Sequence, residues 1–334
     1  MSSLFKDKYF PKKFDDFLVH KDDVPKFKSY SNNYLMNTII YGPLGSGKYT
    51  LAINMIKNYI DHDIFKKKIT KFTIRNNSNL KEINIIQSQY HFEINVNNYL
   101  LNDSVTIIKL LQQLVESKNI ISDKFKVILI RNIEYLNPSI LKYFCLLTEK
   151  YVENIRLILI TNNSCLTKKL NSYFSCIKLS LPKVEDIENL IDFVSKDQDL
   201  NINIKNKQNI ISKCERNLNK IMINLENVKI SGKYVDYKNY IDLEINVLIK
   251  YLKKDDVKSC IKIREIIYSF ITKNYSVNYL IKCILKKLLS LNISNDLKQN
   301  IIRCACTYQQ KIQSSYKSLI HFEAFIFNIK YLIS

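Results

Sequence analysis

Asn37-Thr-Ile-Ile-Tyr41 runs without a break into Gly42-Pro43-Leu44-Gly45-Ser46-Gly47-Lys48, and the fold of the first half of the chain follows from this join. The apolar, β-branched run reads as a buried strand. The segment after it has the spacing GxxxxGK, in which backbone N–H groups cradle phosphates while the lysine reaches the outer ones. The chain has four glycines in all, and three of them fall within these six positions, so the glycines serve this loop. Thr50 to Ile60 then puts Leu51, Met55 and Ile56 on one helical face. A helix N-terminus therefore points at the loop and adds its dipole. The residues expected to hold a nucleotide here are Gly42, Pro43, Leu44, Gly45, Ser46, Gly47, Lys48, Tyr49 and Thr50.

Composition bounds what surrounds this loop. The 334 residues suffice for two or three domains, and 46% hydrophobic residues exclude wholesale disorder. Lys and Arg number 51 against 31 Asp and Glu, a net charge of +20, which suits an anionic polymer or an anionic surface. The eight cysteines include no CxxC pair, and Cys304-Ala-Cys306 has no His or Cys partners at zinc spacing; reduced core thiols are expected. Charges appear within the first six residues, and no run approaches eighteen uninterrupted apolar residues. A soluble, unsecreted protein that does not enter a membrane is the expectation.

Around the loop, short strand-like runs at Ile69–Ile74 and Ile83–Ile86 precede Tyr90-His-Phe-Glu-Ile94. His91, inside an apolar strand, reads as a satisfied core residue. Ser104 to Lys118 reads as a helix with Ile107, Ile108, Leu110, Leu111 and Leu114 inward and Lys109 on its polar side. Lys126 to Ile130 is a second buried strand, at the place where a P-loop ATPase puts the acids that handle metal and water. Arg131-Asn132-Ile133-Glu134 follows instead. Asn137 and Pro138 start a helix as N-cap and first helical residue, and Ile155 to Ile160 is a third buried strand. Pro182 opens a small helical segment. Lys229-Ile-Ser-Gly-Lys233 reads as a linker, and four or five amphipathic helices follow from Tyr240.

Lys8-Tyr-Phe-Pro-Lys-Lys-Phe-Asp-Asp16, read as an extended lead-in ahead of any regular element, resembles the KYRPKxFDD box that opens the small subunits of replication factor C, the clamp loaders of eukaryotes, archaea and some DNA viruses. Tyr90-His-Phe-Glu-Ile94 resembles the YHxEI segment of one branch, the human subunit three and yeast subunit five type. Glu149-Lys-Tyr-Val-Glu-Asn-Ile-Arg-Leu-Ile resembles that family's EKY...NIRLI, and His321-Phe-Glu-Ala-Phe-Ile326 its HLEGFI. The likeness spans essentially the whole chain.

The resemblance implies an α/β P-loop domain of the AAA+ kind with a parallel sheet (residues 1–180), a small helical lid (181–235) and an α-helical collar that joins subunits into a ring (236–334). It places Tyr9 and Pro11 against the nucleotide base, with Phe10 where the family has arginine, and Asn162 at the sensor-1 position. It also implies what is missing. The Ser or Thr after the P-loop lysine is Tyr49, the two acids of the DEAD box are Arg131 and Asn132, the sensor-2 arginine is Asn219 beside Lys220, and the arginine that reaches a neighbour's ATP is Ser175. Glu134 falls on the last box position and could act only from a shifted backbone.

The expected activity is therefore that of a non-catalytic subunit of a replication factor C-like pentamer, at an end of its spiral, that helps load a PCNA-type sliding clamp onto primer-template DNA. ATP or ADP would be bound without hydrolysis and Mg²⁺ poorly held; no residue is assigned as catalytic or as a metal ligand. Lys109 and Lys142 are the candidates for contact with DNA, on the two helices that line the inside of the spiral in that family. The nucleus, or a virus's replication site in its host, is the expected location. A stand-alone P-loop ATPase acting on nucleic acid, a helicase loader or repair ATPase with acids supplied from elsewhere in the chain, is the competing reading.

Overall fold

A computed structural model of the protein describes residues 4–31, 34–60, 64–76, 79–96, 104–116, 125–232, 240–254, 256–315 and 317–333. Two compact units divide the chain, Met1–Val235 and Asp236–Ser334.

In the first unit the period-2 alternation of the apolar runs decides which side chain meets which layer. Strands β1 (Thr38–Tyr41), β2 (Lys68–Asn76), β3 (Asn79–Gln87), β4 (His91–Asn95), β5 (Lys126–Arg131), β6 (Ile155–Thr161) and β7 (Ser175–Lys178) form one sheet in the order β2-β3-β4-β5-β6-β1-β7. The pairs from β4 to β7 are parallel, while β2 and β3 form an antiparallel hairpin on the β4 edge. Ile39, Ile128, Ile130, Leu157 and Leu159 point to one core, and Ile40, Val127, Leu129, Ile158 and Ile160 to the other. Both faces are covered, as a parallel sheet requires.

The first core is closed by α4 (Ser104–Glu116) and α5 (Pro138–Lys150), through Ile107, Leu110, Leu114, Ile140 and Phe144. The second is closed by α3 (Lys48–Ile60), through Leu51, Met55 and Ile56, with Phe14, Phe17 and Phe27 of the preceding segment. Burying each such side chain contributes roughly 1.5–3 kcal/mol before chain entropy is counted. The expected helix of residues 104–118 runs to Glu116, its last two residues lying outside the described ones. Residues 233–239, the end of the expected linker and its boundary at 235/236, also lie outside them.

The opening segment differs from an extended lead-in. Phe5–Lys8 forms a short helix, α1, and Phe14–Asp16 a 3-10 turn before α2 (Val24–Ser29). Apolar anchors explain the difference, since Phe5 packs among the α7–α9 residues described next and Phe14 stacks on Phe17. After β7, preceded by α6 (Cys165–Leu170), come α7 (Val184–Asp197), α8 (Ile204–Lys213) and α9 (Leu218–Ser231), which share a small core of Ile187, Ile191, Ile211, Ile221 and Leu225. The second unit holds five described helices, α10 (Tyr240–Leu252), α11 (Val257–Thr272), α12 (Val277–Leu289), α13 (Asn295–Ser314) and α14 (Ser318–Ile333). Its own core is built from residues such as Ile245, Leu248, Phe270, Ile284, Phe322 and Phe325.

Candidate nucleotide-binding site

In an open parallel sheet ligands sit beyond the carboxyl ends of the strands, and the P-loop is at that end of β1. A cavity of about 360 Å³ opens there. Leu44, Gly45, Ser46, Gly47, Lys48, Tyr49 and Thr50 line it, together with Tyr9, Phe10, Pro11, Arg131 and Asn162. The fold thus brings Tyr9 and Pro11, the loop from Leu44 onward and Asn162 to one cavity; Gly42 and Pro43 do not line it, and their carbonyls accept from Lys48 Nζ at 2.9 and 2.6 Å. Lys109 and Lys142 are elsewhere, half-buried on α4 and exposed on α5.

The loop's glycines answer to specific approaches. Gly45 has φ +77°, and a Cβ there would come within 2.0 Å of Asn217 Oδ1. The Gly45 carbonyl also accepts from Leu218 N at 3.0 Å. Asn217 is the N-cap of α9, its Oδ1 accepting from Asn219 N and Lys220 N, so the start of α9 is seated on the P-loop. A Cβ on Gly42 would meet the Leu179 carbonyl at 2.0 Å. Asn219 lines the cavity. Arg216, three residues before it, has φ +57°, a left-handed conformation uncommon for a residue with a side chain.

Two features of the loop fit an anion. Ser46 Oγ is fully buried and, among the described residues, has no hydrogen-bond partner. Burial pushes the Lys48 ammonium down to about 8, opposed only by the Glu134 carboxylate; a phosphate beside it would restore the charged form and take up a proton above that pH.

Metal chemistry fits less well. The hydroxyl after the P-loop lysine belongs to Tyr49 and is turned away from the loop: it donates to Glu93 Oε2 at 2.9 Å and accepts from Lys67 Nζ at 2.9 Å. Glu93 is buried at 3% exposure and also receives Lys67 at 2.5 Å and His91 Nε2 at 2.9 Å. Burial would raise the Glu93 carboxyl, but the bonds from His91 and Lys67 outweigh it and hold the group at about 2. His91, fully buried, pairs its other ring nitrogen with the Ser88 hydroxyl at 2.6 Å, and is a satisfied core residue. Arg131, at the end of β5, lies with its guanidinium carbon 4.4 Å from the Tyr49 ring centroid. Among the described residues no group of three or more His, Cys, Asp or Glu is placed to hold a metal ion.

Glu134 reaches the site by a backbone turn. Asn132 adopts φ +62° immediately after β5, and the 3-10 turn Ile133–Tyr135 that follows brings Glu134 toward β6. There its carboxylate accepts from Thr161 Oγ1 at 2.9 Å and Asn162 Nδ2 at 2.6 Å. Asn162, the expected sensor-1 residue, is thus bonded to the one acid of the tetrapeptide.

Several contributors were not visible in the sequence. His20, at φ +61°, donates from Nε2 to the Ser46 carbonyl at 3.0 Å, and its own N–H reaches Asp186 of α7 at 3.2 Å. Tyr9 donates to Asp197 Oδ2 at 2.5 Å and meets Phe193 edge-on, tying the opening segment to α7. These pairs are separated by 26 to 188 residues, beyond any local pattern; only Asn217, a polar cap ahead of an apolar run, carried a local signal.

Comparison with known proteins agrees with this architecture. Residues 241–334 match the family described as Replication factor C subunit 3, C-terminal domain. A replication factor C small subunit of Acanthamoeba polyphaga mimivirus, described as putative, is 27% identical over 96% of this chain and 89% of its own length. Human replication factor C subunit 3 is 25% identical over 97% of this chain and 94% of its own, and subunit 5 of Saccharomyces cerevisiae 25% identical over 97% and 98%. With a P-loop on a parallel sheet, a helical C-terminal unit that matches that family and likeness along nearly its full length, the chain is similar throughout to the small subunits of replication factor C.

Proposed function

We propose that this chain is a non-hydrolysing small subunit of a clamp loader, which keeps the nucleotide-binding fold and has lost the groups that cleave ATP. One observation carries the proposal: Tyr49 and Arg131, standing where the metal hydroxyl and the first acid would be, are stacked on each other, so the two losses form one packed replacement. Loss of general-base assistance alone lowers a rate by roughly 10²- to 10⁴-fold, and metal and sensor-2 contacts go with it. ATP or ADP is the expected ligand, with Tyr9 and Pro11 near the base and Asn162 near the outer phosphates.

In this reading residues 1–180 form the nucleotide domain, 181–235 the lid and 236–334 the collar. The collar joins the other replication factor C-like subunits, and the assembly loads a PCNA-type clamp onto primer-template DNA in a nucleus or at a viral replication site. An end of the spiral suits a subunit whose own site need not fire and which has Ser175 in place of the arginine offered to a neighbour. Among the described residues no helix is long and apolar enough to cross a membrane. The stand-alone ATPase reading keeps one supporting observation, the Glu134 carboxylate that acts on Lys48 and bonds Asn162.

Lys109 and Lys142 lie on helices packed side by side, α4 and α5. As phosphate contacts they would bind DNA without regard to sequence. Each contact removed flattens the slope of log K against log salt by about 0.9 for duplex DNA. Charge reversal of both in the assembled complex, Lys109→Glu with Lys142→Glu, is expected to weaken DNA binding and lower the slope by about 2. An unchanged affinity and slope in a fluorescence-anisotropy salt titration would remove these helices from the DNA face.

A further inference from the structure

The Arg131 guanidinium is half-buried, lines the phosphate cavity and, among the described residues, has no hydrogen-bond or carboxylate partner; its one recorded side-chain contact is the Tyr49 ring. Five donors in a planar fork are left unused at the wall of a cavity that also holds Lys48. Such a fork is matched to phosphate oxygens, which it can take two at a time. The ring beneath it fixes the plane of the fork, and Tyr49 is itself fixed by Glu93 and Lys67 at 2.9 Å each. The orientation is therefore set before any ligand arrives. A divalent cation would have to enter beside this fixed positive charge, without the Tyr49 hydroxyl and with Glu134 engaged by Thr161 and Asn162.

We propose that Arg131 takes the place of the magnesium ion, so that this site binds the metal-free form of a nucleoside di- or triphosphate, with the guanidinium supplying the counter-charge to the outer phosphates. The inference rests on the nucleotide-binding reading above and adds a ligand state to it. It also accounts for the pairing of two departures: an arginine at the end of β5 would repel a metal held by a serine or threonine after Lys48, and the tyrosine both removes that ligand and seats the arginine. Nothing is cleaved in this scheme; the site holds a ligand.

The test is isothermal titration calorimetry of the full-length chain with ADP, once in EDTA and once in millimolar Mg²⁺. ADP is expected to bind in EDTA as tightly as in Mg²⁺ or more tightly. Arg131→Gln should weaken binding in EDTA by roughly 10- to 100-fold, the loss of a charge-assisted contact, while Arg131→Lys, which keeps the charge and loses the fork, falls between. Binding at least tenfold tighter with Mg²⁺, or an Arg131→Gln variant that binds ADP in EDTA like the parent, overturns the inference and leaves the nucleotide reading standing. Absence of ADP binding under both conditions overturns the nucleotide reading and the inference with it. The wild-type comparison needs no variant, so it decides the matter even if Arg131→Gln does not fold.

Discussion

A chain ending at Gly232 is expected to fold, to bind ADP as the full chain does, and to be absent from the assembled complex. The first unit contains its own cores, the two faces of the sheet and the α7–α9 cluster, none of which draws on α10–α14. The second has a separate core of residues such as Ile245, Phe270, Ile284 and Phe325. Cores that do not share side chains unfold as separate cooperative units, so removing one leaves the other's stability largely intact. The family match falls entirely within the removed part, residues 241–334, and the collar reading gives that part the contacts between subunits. Coexpression and affinity purification with the other subunits would check this. A truncated chain recovered in stoichiometric amounts would show that the collar assignment, and the three-part division behind it, is wrong.

The second large effect is expected at Glu93. Its carboxylate sits at 3% exposure among Lys67, His91 and the Tyr49 hydroxyl. Glu93→Ala leaves the half-buried Lys67 ammonium without its counter-charge, which costs less than the roughly 3–5 kcal/mol of a fully buried pair, while Glu93→Gln keeps the shape and loses only the charge. The acid dependence has a definite sign. Glu93 is held at about 2, below its ordinary 4.5, so its contribution is fully present above pH 4.5 and is lost as pH falls through about 2. The stability gap between the parent and Glu93→Ala, read from urea unfolding, should be constant near neutrality and shrink across that acid window. A gap near zero at neutral pH would mean that the buried cluster contributes no net stability. The same variant should loosen Arg131, because the chain of contacts runs from Glu93 through Tyr49 to the guanidinium.

What could be read from the sequence was what local chemistry dictates. The glycine spacing gave the loop, alternation gave β1, β5 and β6 with their two faces, Asn137 and Pro138 started α5, and amphipathic runs gave α11 and α12. The partners of Glu93 were only partly legible: His91 stands two residues away on the same strand, but Tyr49 comes from α3 and Lys67 from the segment before β2, and nothing about an apolar-flanked glutamate shows that they converge. Nor was the relation of Arg131 to Tyr49. Read singly, each was a missing ligand; only the fold shows that they touch. Glu134 needed a left-handed Asn132 to face the site, and asparagine tolerates that conformation better than most residues do, a hint too weak to use alone. The opening segment misled because Pro11 reads as extended chain, while Phe5, Phe14 and Phe17 fold it onto two cores.

Following radiolabelled ATP with the purified full-length chain decides whether the proposed loss of catalysis on a retained P-loop fold is real. ATP is expected to disappear no faster than in a protein-free control. The same is expected after the double change Arg131→Asp with Asn132→Glu, because Tyr49 and Asn219 still leave the site incomplete. Steady-state hydrolysis by the parent chain that disappears on Lys48→Ala would show a working ATPase and make Glu134 the acid to pursue.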